Sequence, residues 1–190
     1  MSTFQTEVER KRELNGDIGA VKARVTRCGY LELGTSVEVD AYYSRPDRDF
    51  LATVECLRVR QRDGFAEITY KPSSTAETHS SEDIIAKRET NVVLAGDDQA
   101  TVANDLLAVL GMVPLCEVRK TRTTYRHPGR SEITVAFDAV AGVGDFLETE
   151  VLAENVDEAS RLLDEVERQL GLTGYAIVKL PYRDLVLRHQ

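Results

Sequence analysis

Alternation with a period of two dominates the chain. Over residues 65–71, Glu67, Thr69 and Lys71 share one face of a strand, while Ile68 and Tyr70 share the other. Over 131–138, Thr134, Ala136 and Asp138 oppose Ile133, Val135 and Phe137; over 146–152, Glu148 and Glu150 oppose Leu147, Thr149 and Val151. Further strands are predicted at 4–14, 37–43, 56–62, 85–94 and 115–125. Asp63-Gly64 joins 56–62 to 65–71, a dipeptide that supplies the positive φ angles of a tight hairpin. His127-Pro128-Gly129 marks a second turn, between 115–125 and 131–138.

Between these stretches the period lengthens to that of a helix. Asp17 stands as an N-cap before Ile18, Val21 and Val25, with Gly29 at the C-terminal end. Asp97 or Asp98 opens a helix whose apolar stripe is predicted to be Val102, Leu106, Val109 and Leu110, closed by Gly111. Asp157 opens a third, with Leu162, Leu163, Val166 and Leu170 before Gly171. Residues 44–50 read as a loop, 72–82 as a mobile Ser/Thr/Glu-rich loop, and 180–187 as a short helix or turn packed on the body. A faint repeat links helix, glycine (Gly29 or Gly111) and a strand entering at Glu38-Val39 or Glu117-Val118. Two such halves are expected to close into a barrel.

Composition narrows the function. The 190 residues suit a single domain spanning 1–190, and 42% hydrophobic content is enough for a core. A net charge of -8 with no basic tail argues against nucleic acid as the main partner. Cys28, Cys56 and Cys116 are odd in number and lack metal-ligand spacing, which fits a reducing cytoplasm. Neither a membrane span nor a secretory leader is expected. Monomer and homodimer are both left open. His79, His127 and His189 are scattered, and no nucleophile elbow or Walker loop is present.

The charged positions carry the chemistry. Glu7, Glu9 and Lys11 stand two apart on one strand face, a combination unsuited to a dry core. The pattern recurs as Arg58/Arg60, Lys87/Glu89, Lys120/Arg122 and Glu148/Glu150. Arg58/Arg60 and Lys120/Arg122 are purely basic and Glu148/Glu150 purely acidic, and like charges about 7 Å apart repel unless something opposite lies between them. A polyphosphate with its metal ions supplies both opposites. Arg grips phosphate with paired hydrogen bonds, Lys acts as a point charge, and carboxylates hold hard divalent ions.

Glu7-x-Glu9-x-Lys11 resembles the ExExK motif of the CYTH superfamily, which includes class IV adenylyl cyclases, thiamine triphosphatases and inorganic triphosphatases. The later segments follow in order. Residues 38–43 with Pro46 and Arg48-Asp49-Phe50 resemble the second strand and loop of the class IV cyclase-like branch. Leu57-Arg58-Val59-Arg60, Ile68-Thr69-Tyr70-Lys71, Val118-Arg119-Lys120-Thr121-Arg122, Phe137-Asp138 and Glu148-Thr149-Glu150 resemble its remaining strands. Residues 87–91 resemble an RxExE segment with Lys87 for Arg and Asn91 for the second Glu, and Pro72 stands where that branch commonly has Gly.

The resemblance implies an α+β fold, an antiparallel β barrel or tunnel with flanking helices. It implies a Mg²⁺- or Mn²⁺-dependent site in which Glu7, Glu9, Glu89, Asp138, Glu148 and Glu150 hold metal. Lys11, Arg58, Arg60, Lys71, Lys87, Lys120 and Arg122 would hold the triphosphate, with Lys11, Glu148 and Glu150 nearest the chemistry. Lys179 and Tyr182 lie in a segment that resembles the family's C-terminal tail. The implied reaction is conversion of ATP to cyclic AMP and pyrophosphate. The alternative is hydrolysis of thiamine triphosphate or tripolyphosphate, and a non-catalytic triphosphate-binding module is the remaining reading.

Overall fold

All the described strands belong to one rolled antiparallel sheet. The structure, a computed structural model, describes residues 6–73, 85–87 and 89–189, of which Thr6 and residues 85–87 are placed by backbone alone. The elements are β1 (Thr6–Glu13), α1 (Ile18–Arg27), β2 (Leu31–Ser44), β3 (Cys56–Arg62), β4 (Phe65–Lys71), β5 (Ile85–Lys87), β6 (Thr90–Leu94), α2 (Gln99–Val109), β7 (Val113–His127), β8 (Arg130–Val140), β9 (Gly144–Ala153), α3 (Val156–Gln169) and α4 (Tyr182–His189). The strand order is β5-β1-β9-β8-β7-β2-β3-β4-β6.

The two edge strands, β5 and β6, are consecutive in sequence. Residues 87 and 90 are three Cα–Cα steps apart, so the edges lie within about 11 Å of each other. The sheet must therefore curl. Lys71 on β4 accordingly reaches Glu7 on β1 across the seam, 3.7 Å between Nζ and Oε1. The result is a tunnel with a chain link at its seam; among the described residues β5 and β6 do not pair with each other. The single strand predicted at 85–94 is thus two strands on opposite edges. Alternation continues smoothly through residues whose hydrogen-bonding partners change, so periodicity alone does not reveal the break. Residues 74–84, with most of the loop predicted at 72–82 and with His79, lie outside the described residues.

Period two sorts the side chains between tunnel and exterior. On β1 the even-numbered Val8 is fully buried on the outer face, against Leu147 and Val151 of β9 and the helices α1 and α3. Val21 and Val25 of α1 and Leu163, Val166 and Leu170 of α3 complete that core. Arg10 and Arg12 also point outward, and α3 answers them. Arg10 Nη1 donates to Asp164 and Glu167 at 2.7 and 2.8 Å, and Arg12 donates to Glu167 at 3.1 and 2.5 Å.

Helix α1 ends at Gly29 and α2 at Gly111, both in the left-handed region (φ 89° and 80°), where a Cβ is unfavourable. The two strands that follow, β2 and β7, pair along most of their length at the centre of the sheet, so the two halves of the faint repeat meet there. Helix α2 departs from its predicted orientation. It packs Ala100, Ala103 and Leu107 on β3 and β4 and leaves Val102, Leu106, Val109 and Leu110 exposed. Small residues let the helix approach the sheet closely, and both stripes fit a 3.6-residue period. Asp17 and Asp98 occupy N-cap positions without side-chain capping bonds, whereas Asn155 accepts from two backbone amides at the start of α3. No described helix is long and apolar enough to cross a membrane.

Candidate active site

Strand register decides what the tunnel contains. Glu9 lies opposite Glu150, and Lys11 opposite Glu148, across β1 and β9. Arg122 faces Asp138 across β7 and β8, Lys120 faces Glu38, and Asp40 faces Arg60. Directly paired residues of an antiparallel sheet point to the same side, so all of these converge inside. Glu9, Lys11, Arg60, Lys120, Arg122, Glu148 and Glu150 border a cavity of about 250 Å³, with Glu38, Asp40 and Asp138 set behind its lining.

The acids gather on the β1–β9 wall. One carboxylate oxygen from each of Glu9, Glu148 and Glu150 lies within 4.8 Å of the others. Glu7 adjoins them, and its carboxyl is lifted to about 9 by burial first and then by Glu150. Burial, with Glu148 and Glu9, also pushes Glu150 upward, although Arg122 opposes this. Glu148 moves the other way, because Arg122 and Lys11 outweigh its burial. An oxygen-only set of this kind suits a hard divalent ion such as Mg²⁺ or Mn²⁺. A cation there would relieve the repulsion that raises Glu7 and Glu150.

The cations come chiefly from β3, β4 and β7, and carboxylates set behind them hold them in place. Asp40 receives both Nε and Nη2 of Arg60 at 2.7 Å; these partners outweigh burial and hold its carboxyl far below the usual range. Arg58 reaches Asp40 only at 3.6 Å, and its buried Nε has no hydrogen-bond acceptor among the described residues. Glu38 sits between Lys120 and Arg60 at 3.4 and 3.3 Å. Lys71 pairs with Glu89, whose second oxygen accepts from Asn91 at 3.3 Å.

Arg122 binds Asp138 through two hydrogen bonds, 2.7 and 2.5 Å, and also touches Glu148 and Glu150. Asp138 additionally accepts from Tyr182 at 2.9 Å and from Lys120 at 3.3 Å. It is therefore placed behind the cations, outside the Glu9/Glu148/Glu150 group. Lys11 donates to the Leu180 carbonyl at 3.0 Å and lies 3.9 Å from the Tyr182 ring centroid.

Of the residues singled out from sequence, Glu7, Glu9, Lys11, Arg58, Arg60, Lys71, Glu89, Lys120, Arg122, Glu148 and Glu150 border one cavity. Lys87 lies opposite Glu7 in the β1–β5 register, and its side chain is outside the described residues. Sequence reading passed over Glu38 and Asp40, although they share a face with Tyr42 at the same two-residue spacing. Tyr42 borders the cavity. Glu55 and Arg183 were missed as well. Arg183 donates to the Glu55 carbonyl at 2.6 Å and lines the cavity together with Glu55 and Tyr182. No periodic signal marks a loop residue and a helix residue that meet only in the folded chain.

This arrangement matches known proteins. The CYTH domain family matches residues 5–177, and the chain belongs to that family. A protein named "putative adenylate cyclase" from Methanocaldococcus jannaschii is 27% identical over 182 residues, covering 94% of this chain and 97% of its own. The solved structure of the PH1819 protein from Pyrococcus horikoshii superposes with a TM-score of 0.81 at 27% identity, covering 97% and 99% of the two chains. A Hippeastrum protein, described as a "putative adenylyl cyclase" with a dominant triphosphatase activity, shares the fold. Its TM-score is 0.68 at 14% identity, over 98% of this chain and 100% of its own.

Proposed function

We propose that this protein is a metal-dependent enzyme acting on a triphosphate in the tunnel, with ATP cyclisation as its first reaction. The observation that carries this reading is a pair of opposed deficits in one cavity. Glu9, Glu148 and Glu150 bring three carboxylates together at one point of the wall, while buried Arg58 has an Nε with no hydrogen-bond acceptor among the described residues. A triphosphate bound with a divalent ion corrects both. Glu9, Glu148 and Glu150 would hold the ion, with Glu7 and Glu89 beside them. When bound, it would neutralise charge on the phosphoryl oxygens and the leaving group. Asp138 takes a positioning role instead, because Arg122, Lys120 and Tyr182 occupy its oxygens.

The chain's own residues orient the substrate. Arg58 and Arg60 grip phosphate oxygens from one wall, Lys71 and Lys120 add point charges, and Lys11 and Arg122 stand beside the carboxylates. In cyclisation the ribose 3′-oxygen attacks the α-phosphorus, the bond from that phosphorus to the α–β bridging oxygen breaks, and pyrophosphate leaves. The 3′-hydroxyl proton passes to solvent or to an ionised carboxylate. The walls formed by Tyr42, Val54, Cys56 and Pro181 carry no charged side chain and suit an organic group better than a further phosphate.

Hydrolysis is the second reading: the same clamp would serve a water attacking the terminal phosphorus. Asn91, which leaves Glu89 without a second glutamate at that position, separates this site from the cyclase-like pattern. The experiment is incubation with ATP, thiamine triphosphate and tripolyphosphate, each with Mg²⁺, Mn²⁺ or chelator. Cyclic AMP with pyrophosphate is the expected outcome. Orthophosphate without cyclic AMP assigns hydrolysis, and binding of all three without turnover assigns a binding module.

A further inference from the structure

Among the described residues, Val54 is the only one other than glycine with a positive φ, 54°. A β-branched side chain is a costly occupant of the left-handed region, and such a conformation persists only where its surroundings impose it. Here both chain neighbours are pinned. Thr53 donates to the Asp49 carbonyl through its amide and its hydroxyl, at 3.1 and 3.0 Å. Glu55 is 2% exposed, and each of its polar atoms has a partner. Oε1 accepts from Thr53 Oγ1 at 2.9 Å and lies 2.5 Å from Arg48 Nε, while Oε2 accepts from the Tyr70 hydroxyl at 2.6 Å. The Glu55 amide donates to the Phe50 carbonyl at 3.0 Å, and its carbonyl accepts from Arg183 at 2.6 Å.

The loop held in this way brings Val54 to the cavity, which Tyr42, Cys56 and Pro181 also border and whose remaining lining is mostly charged. A triphosphate engages the charges and gains nothing from an aliphatic side chain, whereas an organic group gains from apolar contact. Glycine would occupy this backbone without strain. A valine kept there by so many bonds points to a use for its side chain.

We propose that Val54 is a specificity-determining residue, with Glu55 as its positioning residue. It selects triphosphates that carry an aromatic organic group, such as a nucleobase, over inorganic tripolyphosphate. The inference rests on the tunnel being a triphosphate site, as proposed above. Tyr42 and Pro181 offer flat faces to a ring, and Val54 fills the space beside them.

Calorimetric titration of the full chain with ATP and, separately, with tripolyphosphate, each with Ca²⁺, tests this. The readout is the ratio of the two affinities. In Val54→Gly the affinity for ATP should fall about tenfold relative to that for tripolyphosphate, as for a group lost from an apolar pocket. This variant should melt no lower than the wild type, because glycine carries no penalty at this φ. Glu55→Gln, which weakens the anchor, should lower the same ratio, a change that loss of stability alone would not produce. A wild type that binds both ligands, with a ratio unchanged in Val54→Gly, overturns the proposal and leaves the triphosphate site standing. A wild type that binds neither ligand overturns both.

Discussion

The two faces of β1 both carry charged side chains and reach opposite electrostatic states. Outward, Arg10 and Arg12 are 6% exposed, and Glu167, 1% exposed, stands against both. That network is balanced in charge: the α3 carboxylates meet the guanidinium groups at hydrogen-bonding distance, and Arg12 also donates to the Tyr175 carbonyl at 2.6 Å. Inward, Glu7 and Glu9 face Glu150, and burial with like charge drives Glu7 to about 9. The outer face spends its charges on holding α3 to the sheet. The inner face keeps a surplus of carboxylates, and perturbed carboxylates gathered in a cavity mark a candidate functional site.

The sharpest way to break the inner face is Glu148→Gln with Glu150→Gln. Turnover of the preferred triphosphate should fall on the order of a hundred- to a thousandfold, the usual cost of losing stabilisation of developing charge. Near-normal rates would remove the acidic pair from the mechanism. The matching change on the outer face is Glu167→Ala. It should cost about 3–5 kcal/mol because two buried guanidinium groups lose their partner, a drop of roughly 6–20 °C in melting temperature. Turnover per folded molecule should be nearly unchanged below the transition. If both variants lost activity without losing stability, the two faces would not be separable.

Ligand binding should move the inner face toward the charge balance of the outer one. Triphosphate with Mg²⁺ or Mn²⁺ at about a hundred times its Kd should add ~2.7 kcal/mol, or roughly 5–11 °C. An unchanged melting curve at saturation would contradict a preformed site.

The smallest expected effect concerns Glu7. Between the unfolded value near 4.3 and about 9, the folded state holds a proton that the unfolded chain has lost. The contribution of Glu7 to stability therefore falls as pH rises through that window. Glu7→Gln should melt higher than the wild type at pH 8 in chelator, by about 2–4 °C for each kcal/mol recovered. The gain should vanish near pH 4.5, and an equal gain at both pH values would mean that titration is not its cause.

Much of the inner face was legible because a strand's period is two and its charges survive in any register. Glu7-x-Glu9-x-Lys11 and Arg58-x-Arg60 needed no tertiary information, and Asp63-Gly64 placed its hairpin where the structure has it. Three things were not legible, each for a physical reason. Residues 85–94 alternate smoothly across a point where the chain passes from one sheet edge to the other. Helix α2 carries two stripes of equal period, and the small one, Ala100 and Ala103, packs closer than the large one. The roles of Glu38, Asp40 and Asp138 depend on which cation lies across the ladder, and register is set by the whole sheet.

The placement of β1 has a consequence for synthesis. It is made before β9, one of its two neighbours in the sheet, with most of the other strands lying between them in sequence. At ~5–20 residues per second, Glu9 waits about 7–30 s for Glu148 and Glu150 to leave the ribosome. An apolar strand left unpaired for so long would recruit other chains. The run Glu7-Val8-Glu9-Arg10-Lys11-Arg12-Glu13 is charged at every position but one, so the composition that later equips the tunnel also keeps the newborn strand solitary until its partner arrives.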